Sequence, residues 1–353
     1  MMFVLGVVVS FTANLLLAAT AAEDTFFTCW KGETINLSEL ADSNYDMIGN
    51  ATGTDALKVG LLQEDEDGFL CAQVIVKGNE KFHTHETADI FVQVMSGGGY
   101  FNIGDGTSIN MPTGANILLE AGQPHEFFNK ADPYTALVAC FRAKAAEDCD
   151  SEKTPVDGNP GPNIDVTQDF PSSFATVTGL PVDLTGLDGP AAGESRKVHV
   201  LKSTAGISGM TVAAVVLATE ESYHVHQSSS LWVTVVKGNN VVTASANDPE
   251  VTISVPEGSS IVFKKCEPHQ FINLDGPGNP ATLLAVFGPS LQSGDSVDVK
   301  DNPECLDNNS ANSQDEKSDE SDTSAATIFS TGIASVVAVA LPIAADAVVT
   351  AFN

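Results

Sequence analysis

Residues 81–97, KFHTHETADIFVQVMSG, place two histidines on alternate positions just ahead of a run of apolar strand formers. The pattern returns later in the chain. His83, His85 and Gly97 recur as His224, His226 and Gly238, each 141 positions on, and Gly114, His125 and Asn129 recur as Gly258, His269 and Asn273, each 144 on. Six of the 7 histidines fall inside this repeat, which makes it the organising feature of the sequence. The seventh, His199 in RKVHVLK, reads as an ordinary strand histidine. The difference between the two offsets is assigned to GNNVVTASANDPE, residues 238–250, as a longer hairpin turn in the second copy.

Around the histidines each half reads as short β-rich runs between Gly, Asn and Asp turns: ALKVGLLQ, FLCAQVIVKG, IFVQVMSG, YFNIGDG, NILLEAG and TALVACFR. No long amphipathic helix is visible, so the spacing predicts an all-β sandwich or barrel in each half. Side chains at i and i+2 share a strand face. His83 therefore converges with His85, and His224 with His226. In a small curled barrel, His125 and His269 from another strand could complete two sets of three ligands.

At 353 residues the chain can form two ordinary domains. Its net charge of −30, from 46 acidic against 16 basic residues, repels a polyanion and argues against nucleic-acid binding. Residues 1–22 are apolar and end in small residues, as in a secretory signal peptide, although the stretch lacks Lys or Arg. The expected organisation is a first barrel over 23–150, a Pro/Gly-rich linker over 151–175 and a second barrel over 176–305. An acidic disordered stalk over 306–324 and a hydrophobic tail over 325–353 follow. That tail reads as a lipid-anchor signal or a membrane span, and Asp346 counts against both. Secretion permits glycosylation at Asn36, Asn50 and Asn308 and disulfides among six cysteines, for which 15 pairings exist. Cys71 and Cys140 fit either a buried disulfide or two free core thiols; Cys149 and Cys305 are disulfide candidates by position.

The repeated residues resemble the two cupin motifs, written G(X)5HXH(X)3,4E(X)6G and G(X)5PXG(X)2H(X)3N, and two copies of both resemble a bicupin. His83, His85, Gly97, Gly114, Gly122, His125 and Asn129 match in the first half, and His224, His226, Gly238, Gly258, His269 and Asn273 in the second. The resemblance spans roughly residues 55–145 and 195–290 and implies two tandem jelly-roll-like barrels. Each would hold one divalent transition metal on His83, His85 and His125 or on His224, His226 and His269. Imidazole ligands suit Fe, Zn, Cu and Ni without discriminating among them, and the resemblance favours Fe, with Cu, Ni, Mn or Zn as alternatives. Asn129 and Asn273 are expected to anchor a turn or to orient a ligand histidine.

The departures matter as much. The glutamate position of the first motif falls on Ile90 and Leu231, the proline of the second on Glu120 and Lys264, and its glycine on Cys266 in the second half. Asp89 or Glu86 could supply an acidic group only if the strand turns it inward. Three neutral imidazoles leave a metal its full charge, which favours an anionic oxygen-donor substrate. The resemblance then points to the three-histidine dioxygenases of the family, acting on a small oxygen-chelating molecule. A non-catalytic cell-surface or storage bicupin is the alternative, and an oxalate decarboxylase or oxidase is weakened by the missing glutamate.

Overall fold

Along the strand Ile90–Ser96 alternate side chains enter two different cores. Ile90, Val92 and Val94 join Val76, Phe101, Ile103, Ile109, Met111, Ile117, Leu119 and Phe127 inside one barrel. Phe91 and Met95 point the other way, into a core shared with Met210, Val212, Trp232 and Val286 of the second repeat. A strand buried on both faces must be apolar at nearly every position, which is why IFVQVMS reads as a continuous run rather than a half-wet alternation. Ser230–Lys237 repeats the arrangement: Leu231, Val233 and Val235 line the second barrel, and Trp232 enters the shared core.

The computed structural model describes residues 69–142 and 172–301, with breaks at 105, 132–133, 178, 206–208 and 245–248, together with Cys305. The strands Phe26–Cys29, Thr34–Asn36, Leu57–Glu64 and Lys153–Pro155 are described chiefly as backbone. The architecture is all-β. In the first barrel a seven-stranded sheet runs in the order Val182–Asp183, Ser173–Thr176, Asn116–Leu119, Ile90–Ser96, Thr135–Arg142, Phe69–Val76 and Leu57–Glu64. A five-stranded sheet carries His83–His85 and His125–Asn129 side by side. In the second barrel the large sheet is again seven-stranded, and His224–His226 pairs with Ser296–Asp298.

Both large sheets borrow strands from beyond their own repeat. Phe26–Cys29 runs parallel to the second barrel's Ser260–Phe263, with Phe27 opposite Ser260. Ser173–Thr176 runs parallel to the first barrel's Asn116–Leu119, with Phe174 opposite Asn116. Each exchange covers an open sheet edge, which would otherwise present unpaired backbone groups.

Side chains of the two large sheets meet in the shared core. Thr234 donates its hydroxyl hydrogen to Oε1 of Gln93 at 3.0 Å, and these two residues are 141 positions apart. Phe91 and Trp232, separated by the same offset, lie in the shared core beside this contact.

The repeat's glycines mark real turns. Gly97 adopts a φ of +82°, and a Cβ there would come within 2.8 Å of Thr135 Oγ1. Cys266 stands where the first repeat has Gly122 and adopts a φ of 65°. Two disulfides are present, Cys71–Cys140 and Cys266–Cys305. The first joins directly opposed residues of neighbouring strands. The expectation that Cys305 is bridged holds, whereas Cys149 lies outside the described residues. The stretch 238–250 is not simply a turn, since it contains the strand Val241–Ala244, and the extra residues fall between that strand and Thr252–Ser254. The leader, the stalk, the hydrophobic tail, Asn50 and Asn308 lie outside the described residues, and Asn36 is described only as the end of a backbone strand.

Candidate metal centre

Antiparallel pairing brings the third histidine of each repeat to the first. His125 lies directly opposite His83, and His224 exchanges backbone hydrogen bonds with His269 at 3.0 and 2.9 Å. Strand alternation then aims the i+2 histidine to the same side. The result is two groups, His83/His85/His125 and His224/His226/His269, each with ligand atoms within 4.8 Å of one another. All six side chains are buried. Ring-centroid separations are 4.8, 4.5 and 5.5 Å in the first group. They are 5.0, 4.4 and 5.3 Å in the second. One geometry has been built twice.

The rings are held so that Nε2 faces inward. A backbone carbonyl accepts a hydrogen bond from Nδ1 of His83 (Lys81, 2.6 Å), His125 (Gln123, 2.8 Å), His224 (Ser222, 2.7 Å) and His269 (Glu267, 3.0 Å). A carbonyl can only accept, so Nδ1 carries the hydrogen and Nε2 keeps the lone pair in a neutral ring. His226 instead donates from Nδ1 to Oδ2 of Asp295 at 3.2 Å.

Those inward nitrogens fit a metal ion. In the first group Nε2 of His83 lies 3.0 Å from Nε2 of His85. Without a metal, that contact is an N–H···N hydrogen bond if His85 carries its hydrogen on Nε2; with a metal, both nitrogens would turn their lone pairs to it. Two imidazoles on one metal with bonds of about 2.0–2.1 Å fall roughly 2.9–3.3 Å apart. In the second group, burial first and then the neighbouring rings push His269 well below its ordinary proton affinity. Burial also lowers that of His224, against the opposing charge of Glu221. Both rings are thereby kept in the deprotonated form a metal needs. Burial alone would raise the Asp295 carboxyl, but hydrogen bonds from His226, Ser228 and Ser229 bring it down to about 2.

The chain forms two tandem β-barrels with a three-imidazole group inside each copy. This agrees with the resemblance to the bicupins. No protein-family model and no curated protein matches the sequence. Among solved structures, a cupin 2 conserved barrel domain protein from Leptotrichia buccalis aligns at 11% identity and a TM-score of 0.46, covering 71% of this chain and 94% of that one. An oxalate decarboxylase variant of Bacillus subtilis aligns at 13% and 0.42, covering 76% and 85%. The vicilin of hazelnut, Corylus avellana, aligns at 12% and 0.38, covering 67% and 82%. The bicupin reading rests on the chain's own repeat and ligand geometry.

The other site residues expected from sequence fare differently. Asp89 is buried but faces away from the triad, accepting hydrogen bonds from Ala121 N–H at 2.7 Å and from the Thr204 hydroxyl. Glu86 is exposed and accepts from Thr84 at 3.0 Å. Neither carboxylate joins the ligand groups: both lie in the connection between His83–His85 and Ile90–Ser96, and each is bonded elsewhere. Asn129 and Asn273 anchor turns. Asn129 bonds both ways with the backbone of Ala131 at 3.0 Å and accepts from Thr135 at 2.6 Å. Asn273 donates to the carbonyl of Asn279 at 2.9 Å. Backbone carbonyls and Asp295, not these amides, orient the ligand rings.

Ile90 and Leu231 fill the vacant glutamate positions with buried aliphatic side chains. Four polar residues near the triads were not singled out from the sequence: Glu80, Glu221, Arg196 and Asp295. Oε1 of Glu80 lies 3.6 Å from Nε2 of His83. Glu221, 141 positions on, would have been findable from the repeat offset. A cavity of about 110 Å³ opens on the second triad, walled by Val215, Leu231, Val233, Phe271, Leu283 and Phe287, with Arg196 and Glu221 as its charged residues.

Proposed function

We propose that the protein is a secreted, metal-dependent bicupin that acts as a dioxygenase on a small, oxygen-chelating organic substrate, with the second barrel as its reaction chamber. The observation that carries this reading is the apolar cavity opening on the inward nitrogens of His224, His226 and His269. At about 110 Å³ it is smaller than the ~300–1,000 Å³ clefts that take drug-sized ligands, which suits a compact substrate. Either triad would hold one divalent transition metal, with iron favoured and Cu, Ni, Mn or Zn as alternatives. When bound, such a metal supplies Lewis-acid chemistry and, if redox-active, electron transfer at the end of the cavity.

The chain's own residues do the rest. Leu231, Val233, Leu283 and Phe287 exclude water and strengthen every electrostatic contact inside. Arg196, about one third exposed and hydrogen-bonded to Glu221, offers a partly solvated cation to an anionic oxygen of the substrate. Leu231 in place of a carboxylate leaves the metal's charge undiminished toward that oxygen. Two disulfides suit an oxidising extracellular compartment, which agrees with the apolar leader, the sequons and attachment through the C-terminal tail.

The test is elemental analysis of the protein expressed without its leader and tail, followed by oxygen uptake with small diketone and catechol-like substrates. The expected result is one tightly held redox metal per barrel and substrate-dependent oxygen consumption that His224→Ala/His269→Ala abolishes. Stoichiometric metal with saturable ligand binding and no oxygen uptake would transfer the protein to the non-catalytic bicupins. Carbon dioxide release from oxalate by manganese-loaded protein would instead favour the decarboxylase reading.

A further inference from the structure

A strap runs along the histidine strand of the second barrel. It begins at a turn in which Asp295 N–H donates to the Gln292 carbonyl at 3.1 Å and Gly294 adopts a φ of +84°. The Asp295 carboxylate accepts from Ser228 N–H at 2.7 Å and from Nδ1 of His226 at 3.2 Å, and its carbonyl accepts from Gln227 N–H at 3.0 Å. Ser296–Asp298 then pairs antiparallel with His224–His226, and Val299 N–H donates to the Tyr223 carbonyl at 3.3 Å. Ser296 also lines the cavity on the triad.

A disulfide ties this strap to the far side of the site. Cys305, buried and the last described residue, is bridged to Cys266. Cys266 lies three residues before His269, and its N–H donates to the His226 carbonyl at 2.7 Å. The next residue, Glu267, accepts the Nδ1 hydrogen of His269 at 3.0 Å. The bridge therefore joins the strap to the turn that positions His226 and His269. Beyond the buried Asp295, residues 296–300 are half-buried or exposed, so little buried surface would keep them in place without that tie.

The first barrel has a strap without this latch. Lys153–Pro155 pairs with His83–His85 as Ser296–Asp298 pairs with His224–His226. Gly122 N–H donates to the His85 carbonyl at 2.7 Å, as Cys266 does to His226, but glycine carries no sulfur and forms no bridge at that turn. Access separates the two disulfides as well. Cys71 and Cys140 are fully buried, whereas Cys266 is partly exposed, and thiol–disulfide exchange requires a thiolate to reach sulfur.

The geometry points to a redox-opened latch: a dithiol that reduces Cys266–Cys305 frees the strap and loosens the second three-histidine group while leaving the first unchanged. Loss of metal on opening rests on the metal-holding reading proposed above; release of the strap does not. One thiolate of the dithiol attacks Sγ of Cys266 and expels Cys305 as a thiolate, which takes up a proton. The second thiol then displaces Cys266. Two electrons and two protons pass to the protein, and the dithiol leaves as its own disulfide.

The full chain is treated with dithiothreitol, blocked with iodoacetamide and freed of both reagents, so that no exposed thiol remains to bind metal. Mass mapping should find Cys266 and Cys305 alkylated at dithiothreitol concentrations that leave Cys71–Cys140 intact. In the metal-free protein, hydrogen exchange at 224–226 and 295–300 should quicken by at least ~10-fold, with 83–85 unchanged. Co²⁺ affinity, read by chelator competition in the chain carrying His83→Ala/His125→Ala, should fall by at least ~10-fold on opening. Cys305→Ser, which removes the latch without added bulk, should reproduce both changes, with far-UV circular dichroism checking the fold. Alkylation of Cys71 and Cys140 first, or unchanged exchange at 224–226 in the opened protein and in Cys305→Ser alike, would overturn the latch. Faster exchange with unchanged Co²⁺ affinity would overturn its link to the metal. No Co²⁺ binding in the bridged chain would remove the metal reading and leave the strap to be decided by exchange.

Discussion

Asp295 does for His226 what backbone carbonyls do for His83, His125, His224 and His269: it takes the hydrogen of Nδ1 and leaves Nε2 to the site. It does so as a buried anion, stabilised by the Ser228 amide at 2.7 Å and by the Ser228 hydroxyl. Because its carboxyl is held at about 2, it stays ionised across the working pH range. Asp295→Asn keeps the shape and loses the charge, so second-site metal affinity should fall by ~10–100-fold while the first site is unaffected. Chelator competition on each site measures this. All six ligand histidines were legible in the sequence because alternation and a fixed repeat offset single them out. Asp295 was not, since it lies 69 residues beyond His226 and is delivered by the turn that leads into Ser296–Asp298. Asp89 was a candidate only if turned inward, and its bond to the Thr204 hydroxyl, from the second repeat, shows where that carboxylate goes.

At the scale of elements, the runs read from the sequence became the strands Leu57–Glu64, Phe69–Val76, Ile90–Ser96, Asn116–Leu119 and Thr135–Arg142. Pairing between cysteines was not legible, since spacing does not encode it, and the Cys266–Cys305 bridge appears only once the chain folds. Cys266 is also where the second repeat departs from its motif. Its amide donates to the His226 carbonyl at 2.7 Å, as Gly122 donates to His85 at 2.7 Å, so the turn that buttresses the ligand strand is kept despite the lost glycine. A non-glycine residue with φ of 65° carries a left-handed conformation that costs roughly 1 kcal/mol. Replacing Cys266 therefore removes a bridge and, with glycine alone, also relieves the turn. Urea unfolding should show Cys266→Ala destabilised by roughly 2–4 kcal/mol and Cys266→Gly by about 1 kcal/mol less. Equal stability of the two variants would mean the backbone at this turn is not fixed as described.

The whole molecule is less modular than its sequence repeat. The repeat suggested one barrel before a linker at 151–175 and another after it, yet Phe26–Cys29 completes the second barrel's sheet and Ser173–Thr176 the first's. No period in the sequence announces such an exchange, because parallel edge pairing between distant segments leaves no local pattern. The shared core of Phe91, Met95, Trp232 and Val286 then couples the barrels further. A sharp consequence concerns the N-terminal arm. Deleting residues up to 56 removes the strands Phe26–Cys29 and Thr34–Asn36, which lie nearest the first barrel in sequence but pair on the second. Hydrogen exchange should therefore accelerate at Ser260–Phe263, whose edge is uncovered, while Asn116–Leu119 keeps its protection beneath Ser173–Thr176. Metal at the second triad should be lost more readily, since Phe263 stacks on His269 with ring centroids 4.4 Å apart and would loosen with its strand. Protection lost instead at Asn116–Leu119 would place the arm on its own barrel and restore two separate modules.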